Sequence, residues 1–236
     1  MSETCSNLFP DMAELVPPAA KGCASVQHLT VDAEGGRTIS YVYGEFKHPS
    51  PAGTYATLRL TNDAGESQVM MSDFHYERIT CEEVVLRAHG DVLIAGLGLG
   101  MILHPILKKD EVRSVTVIEK FQDVVDLISP TLPDDSRLAI ITGDIFLWQP
   151  PDGRCYDVIW FDIWPDVEAS RLSEMAELHR RFAPYWNNSD PRGWMESWHR
   201  RETLEAVQRQ ELRQMESQTS AGDESKPDPL EAQVGQ

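Results

Sequence analysis

At 236 residues the chain can bury one sizeable core, with or without a small appended subdomain, and needs neither disulfides nor metals to stay folded. A formal net charge of -17 repels a phosphate backbone, so nucleic acid is not expected as a partner. Cys5, Cys23, Cys81 and Cys155 are scattered, with no C-x-x-C pair and no histidine at ligand spacing, which excludes a zinc framework and fits a reducing cytoplasm.

Acids stand where a signal peptide would carry a basic segment, and no apolar run approaches the roughly 18 residues of a membrane span, so a cytoplasmic protein without membrane contact is expected. Residues 1–24 hold Pro10, Pro17, Pro18 and Gly22 around one short apolar stretch and read as an N-terminal arm. Residues 25–72 change to short alternating segments, VQHLTV, RTISYVYGEF, TYATLRLTN and SQVMMS. Glu34-Gly35-Gly36 and Asn62-Asp63-Ala64-Gly65 supply turns between them, and the pattern predicts a small antiparallel β subdomain.

From residue 73 to 200 the chain reads as a Rossmann-like α/β core. Ile79, Val84 and Val85 recur at helical spacing between Phe74 and Ala88, and Gly90 closes that segment. Strands DVLIAG, SVTVIE, RLAIIT and YDVIWFD then follow, with helical stretches MILHPILKK and FQDVVDLI after the first two. Strands apolar along their whole length suit a parallel sheet covered on both faces. A helix over 168–182, a strand in RGWMESW and a charged helix over 200–216 are predicted next. Residues 201–236 read as that C-terminal helix followed by a polar tail expected to be disordered. Trp186, Trp194 and Trp198 are expected to pack the end of the sheet, with an aromatic wall over a substrate as the alternative. No strand follows RGWMESW, so the sheet is expected to be shortened at its C-terminal edge, with a homodimer as one way of covering the open edge.

The chemistry-bearing residues fall at the carboxyl ends of the strands. Gly96, Gly98 and Gly100 lie between a buried strand and a helix, where absent side chains admit a ligand to the backbone; a tight turn alone is the alternative. Glu119 ends the second core strand, placed to accept hydrogen bonds from ribose hydroxyls, with a plain surface glutamate as the alternative. Asp144 and Ile145 follow the third, placed to bracket an adenine, with a turn cap as the alternative. Asp162 ends the fourth, as a general base or an orienter of a cationic group, with Trp164 and Asp166 shaping an acceptor pocket and a structural turn cap as the alternative. Asp73, His75, Tyr76 and Glu77 cluster where the β subdomain meets the core, the usual place of a substrate cleft, although acids at a helix start also serve as caps. No metal site is predicted.

In this order, Gly96-x-Gly98-x-Gly100, Glu119, Gly143-Asp144 and Asp162 resemble the class I S-adenosylmethionine-dependent methyltransferases. Within them the chain is most similar to the spermidine synthase-like branch, through the β-rich segment ahead of the core, the stretch MSDFHYERI, and Ile94-Ala95 before the glycines. The resemblance covers roughly residues 54–200. It implies that Glu119 binds the cofactor ribose, that Asp144 and Ile145 bind the adenine, and that Asp162 stands at the deprotonating aspartate. It also implies S-adenosylmethionine or its decarboxylated form as cofactor. Two departures are visible: Leu99 occupies the loop position where spermidine synthases keep an aspartate, and their Asp-x-x-Asp-Pro signature survives only as Asp162-Ile163-Trp164-Pro165-Asp166.

Methyl transfer to a small-molecule acceptor is therefore the leading expectation, since an activated sulfonium asks mainly for positioning and, where needed, one base. Aminopropyl transfer to a polyamine precursor ranks second, because a polycation without partner acids is costly to bury. A non-catalytic cofactor-binding homologue is the third reading. A nicotinamide dehydrogenase ranks last, Met101 replacing the third spaced glycine.

Overall fold

The computed structural model describes residues 8–32, 50–166, 168–209 and 212. The segment RTISYVYGEF, the Glu34-Gly35-Gly36 turn and the tail beyond Met215 lie outside the described residues.

The first sheet is antiparallel, with strands β1 (Ala19–Lys21), β2 (Ala24–Val31), β3 (Gly53–Thr61) and β4 (Ser67–Ser72) in sequence order. It starts ahead of residue 25, because β1 pairs with β2. Between β3 and β4 the Asn62 side chain makes the turn, Oδ1 accepting from Ala64 N–H at 3.0 Å and Glu66 N–H at 2.9 Å. Ahead of the sheet a single helical turn, α1 (Met12–Leu15), is capped by Asp11, whose Oδ1 accepts from Ala13 N–H. Phe9, Met12 and Val16 are buried, so this arm contributes to the main core.

The expected helix between residues 74 and 88 is two short ones, α2 (His75–Thr80) and α3 (Glu82–Arg87). Thr80 Oγ1 donates back to the Glu77 carbonyl at 3.1 Å, a local bond of the kind that bends helices, and the break follows at the buried Cys81.

The second sheet is wholly parallel, built from β5 (Gly90–Ala95), β6 (Val112–Glu119), β7 (Leu138–Thr142), β8 (Val158–Phe161) and β9 (Trp194–Ser197) in the order β7-β6-β5-β8-β9. Alternate side chains divide cleanly between its faces. Val92, Ile94, Val115, Val117, Val158 and Trp160 pack on one side against Val84 of α3, the short helix α4 (Leu103–Leu107), Val124 and Ile128 of α5 (Gln122–Ile128), and the arm. Leu93, Ala95, Ile118, Ile159 and Phe161 pack on the other against Met175, Leu178 and Phe182 of α6 (Leu172–Phe182). The edge strand β7 packs only Leu138 and Ile140 and leaves Ala139 and Ile141 exposed, against the expectation from its apolar sequence. Over β5, β6 and β8 both faces are covered, which is why those strands read as unbroken apolar runs. Each such large buried side chain is worth about 1.5–3 kcal/mol of transfer free energy.

Two predicted helices are shorter than expected. Residues 101–109 supply only the five of α4, since Pro105 cannot donate to the ladder and Gly100 holds a φ of +74. Residues 168–182 begin with a 3-10 turn before α6. Past β9 the chain turns into a helix over 200–209, and the described residues add no further strand, so the sheet is the shortened one anticipated. Among the described residues no helix is long and apolar enough to cross a membrane.

Strand order reverses between β5 and β8, and the crevice at their carboxyl ends is the topological switch point of this architecture. The amino-terminal ends are tied instead by ion pairs, with Arg113 bridging Asp91 at 2.6 Å and Asp157 at 2.7 Å.

Candidate active site

A cavity of about 370 Å3 opens at that switch point, floored by the carboxyl ends of the parallel strands and roofed by Leu58, Leu60, Met70 and Met71 of the antiparallel sheet. The turn leaving β5 forms its inner lip. Gly96 has a φ of +95, and a Cβ there would lie 2.1 Å from the Asp162 carbonyl oxygen; Gly98 has a φ of +53, and a Cβ there would lie 2.2 Å from Met71 Sδ. Gly96 is thus required twice, by backbone conformation and by close approach to backbone, and Gly98 by its conformation, since the Met71 side chain can yield. Gly96→Ala is expected to lower stability by about 3 kcal/mol, since a non-glycine residue in this region costs ~1–3 kcal/mol and the clash is with backbone. A urea midpoint unchanged by the substitution would contradict this.

Glu119 is buried at the end of β6. Its Oε2 accepts from Leu97 N–H at 2.8 Å and its Oε1 from Phe121 N–H at 2.9 Å, so the carboxylate pins the glycine turn to the next strand while lining the cavity. Burial pushes its pKa up, and the backbone donors hold it down against that. Asp144 pairs with Lys120 at 2.9 Å and caps the following turn through Phe146 N–H at 3.0 Å; the Lys120 ammonium lowers its pKa. Ile145, beside it, is buried and lines the same cavity as Ile118.

Asp162 keeps some exposed surface where it lines the cavity, but its carboxyl is ringed by protein, and burial raises its pKa to about 7. Its side-chain hydrogen bond comes from Trp160 Nε1–H at 3.4 Å. Glu77 lines the cavity as well, with Oε1 accepting from Ser72 N–H at 3.2 Å. The two acids flank the buried Cys81 thiol, which burial and their negative charge push well above its usual range. At the rim Trp164 Nε1–H donates to Glu174 Oε2 at 2.7 Å, and Arg171 grips Asp166 with two contacts of 3.1 Å.

The cavity therefore brings together Gly96, Gly98, Glu119, Asp144, Ile145, Asp162, Trp164 and Glu77 of the residues singled out in the sequence. Gly100, His75, Tyr76 and Asp166 are outside its lining; Asp166 acts on it through Arg171. Asp73 is placed elsewhere: fully buried, it takes Ala56 N–H at 2.7 Å, Met12 N–H at 3.2 Å and Arg78 at 2.8 Å. Leu99, the departure inside the glycine turn, is also fully buried and does not line the cavity.

Sequence reasoning missed the roof residues and the rim residues Arg171 and Glu174, whose proximity is purely tertiary. Trp198 also lines the cavity. It follows β9 directly, a position in keeping with the aromatic-wall alternative for this residue. Met71 is the least legible: its Sδ accepts from Leu99 N–H at 3.2 Å, closing the turn from above.

No family model matches the chain. Over 128 residues it is 27% identical to polyamine aminopropyltransferase 1 of Streptomyces coelicolor; the stretch is 50% of this chain and 23% of that much longer protein. Among solved structures it is similar to the plantazolicin methyltransferase BpumL in complex with SAH, at 18% identity, with 45% of this chain and 40% of that one covered and a TM-score of 0.34. It is also similar to the N-methyltransferase NodS from Bradyrhizobium japonicum WM9 in complex with S-adenosyl-L-homocysteine, at 15% identity, with 37% and 45% covered and a TM-score of 0.33.

Proposed function

We propose that the protein is an S-adenosylmethionine-dependent transferase that methylates a small-molecule acceptor. One observation carries this reading: a glycine turn with a buried carboxylate and an acid raised to about 7 share a single cavity at the switch point of a parallel sheet.

The residues fit such a cofactor. Gly96 and Gly98 leave bare backbone at the lip, Glu119 offers carboxylate lone pairs beyond those used by Leu97 and Phe121, and Ile118 and Ile145 present apolar surface for an aromatic base. When bound, the cofactor supplies an electrophilic carbon on a sulfonium. The chain's own part is to hold an acceptor against that carbon and to take its proton, which we assign to Asp162, whose pKa near 7 suits a base at neutral pH. Trp164, Glu77 and, through Arg171, Asp166 shape the acceptor side. Residues 73–200 act as the binding core and the antiparallel sheet as its roof.

Aminopropyl transfer is the second reading, favoured by the polyamine aminopropyltransferase similarity and by Glu77 and Asp162, which put two acids in the cavity for a cationic acceptor. Calorimetric titration with S-adenosylhomocysteine is expected to show one-site binding, weakened about tenfold by Glu119→Gln through loss of a charge-assisted acceptor. A folded chain that binds neither S-adenosylmethionine nor S-adenosylhomocysteine would overturn the proposal. Incubation with decarboxylated S-adenosylmethionine and putrescine, read by mass spectrometry, separates the two readings.

A further inference from the structure

A second cavity, of about 170 Å3, lies at the carboxyl end of β9 and is lined by Thr80, Glu83, Trp160, Glu196, His199 and Glu202 among others. Two indoles divide it from the first. The Trp160 ring lines the second cavity while its Nε1–H reaches Asp162. Trp198 lines the first cavity and donates from Nε1 to Thr80 Oγ1, in the wall of the second, at 3.1 Å.

His199 is the unusual residue here. Among the described residues it is the one non-glycine at positive φ, +55, and it stacks on Tyr76 with ring centroids 5.3 Å apart. Its side chain is only 3% exposed, and its Nε2 is buried without a hydrogen-bond partner among the described residues. Burial lowers its pKa, so the ring is neutral at pH 7. Nδ1 lies 3.9 Å from Glu202 Oε2, an approach that favours the tautomer protonated on that side and so an Nε2 that accepts. A buried acceptor left unmatched is costly, and a donating ligand would recover that cost.

The rest of the lining is rich in acceptors. Glu196 meets Ser197 N–H at 2.9 Å and Arg200 at 3.6 Å through Oε1, and Oε2 takes part in neither contact. Arg201, the cation of the lining, is engaged by Glu83, which Arg87 also approaches from outside. Among the described residues, the side chains whose donor atoms come close enough to grip a bare metal are His89, Asp157 and Asp190, none of which lines this cavity. The Trp160 ring is stacked on Trp194, with centroids 5.5 Å apart, so it bounds the cavity as an apolar wall, and the site suits a ligand that spreads several N–H donors between separated acceptors.

We infer that this second cavity binds a primary alkylammonium ion, with His199 Nε2 and Glu196 as acceptors and the Trp160 ring as its wall. Filling it bears on the first cavity, because any shift of Trp160 alters the hydrogen bond to Asp162. The inference does not rest on the transferase reading.

The test is an NMR titration of the full chain with n-propylammonium chloride, following the indole N–H peaks, with Trp160 assigned through Trp160→Phe. A saturable shift of the Trp160 peak is expected, with none from n-propanol or from sodium chloride at equal ionic strength. The midpoint should rise at least tenfold in Glu196→Gln and in His199→Asn, a residue that tolerates positive φ. It should stay within twofold in Asp162→Asn. A Trp160 peak that does not move, or one that moves equally in Glu196→Gln, overturns the inference. So does a response abolished by Asp162→Asn, which would place the amine in the first cavity. Glu196→Gln keeps the acceptor for Ser197 N–H, so it remains informative even where His199→Asn fails to fold.

Discussion

Asp162→Asn is expected to lower turnover by ~10²–10⁴-fold, the range contributed by a positioned general base, while the fold persists. Asparagine keeps the shape and still accepts from Trp160 Nε1–H, so the loss is that of the base alone. In the unsubstituted protein the rate should rise with pH through about 7, as the carboxyl gives up its proton. That limb should vanish in the variant, and product release followed across pH 5–9 reads both effects. A variant that retains full turnover would remove Asp162 from the chemistry.

The same residue makes an opposite prediction for stability. An acid whose folded pKa lies above its unfolded value keeps its proton in the native state when the unfolded chain has lost it. Between about pH 4 and pH 7 the native protein then binds more protons, and stability falls as pH rises. Relative to Asp162→Asn, the unsubstituted chain should therefore lose thermal stability across that interval, with the gap fully open above pH 7. A buried acid that weakens the fold at working pH is the kind of cost retained for function. Thermal midpoints of the two proteins across this range test the effect without any acceptor; parallel curves would show that burial leaves the Asp162 pKa near its ordinary value.

Asp73→Ala should cost about 3–5 kcal/mol of stability, the usual penalty for removing one member of a buried ion pair. It strands the Arg78 guanidinium and leaves the Met12 and Ala56 N–H groups without the carboxylate they donate to. Those partners belong to the arm, to β3 and to α2, so one side chain ties three elements together just beside the cavity roof. In a denaturation cycle, Arg78→Met should cost much less in the Asp73→Ala background than alone, because the two share one interaction. Full additivity would mean the clamp does not hold the fold. A secondary loss of cofactor affinity is expected, since Leu58 of β3 belongs to the roof.

The order of elements in the core was legible because its central strands β5, β6 and β8 are buried on both faces and its glycine turn sits between a strand and a helix. Those are local signals, fixed by pattern and by φ. Glu119 and Asp162 were legible for a related reason: in a parallel sheet the carboxyl ends of strands gather at one edge, so chain position alone placed them together. For Asp73 the same kind of cue left two roles open. An acid beside a helix start looks alike whether it faces a cleft or a clamp, and only the approach of Met12 and Ala56, 61 and 17 residues away in the chain, decided it. The bend at Cys81, the inward burial of Leu99, the roof of Met70 and Met71 and the partition by Trp160 and Trp198 also came from tertiary structure. Sequence by itself determined where the backbone must turn and which carboxylates stand at strand ends. The packing of one sheet over the other determined which of those groups share a cavity, because burial and long-range contact are properties of the assembled layers and not of any segment.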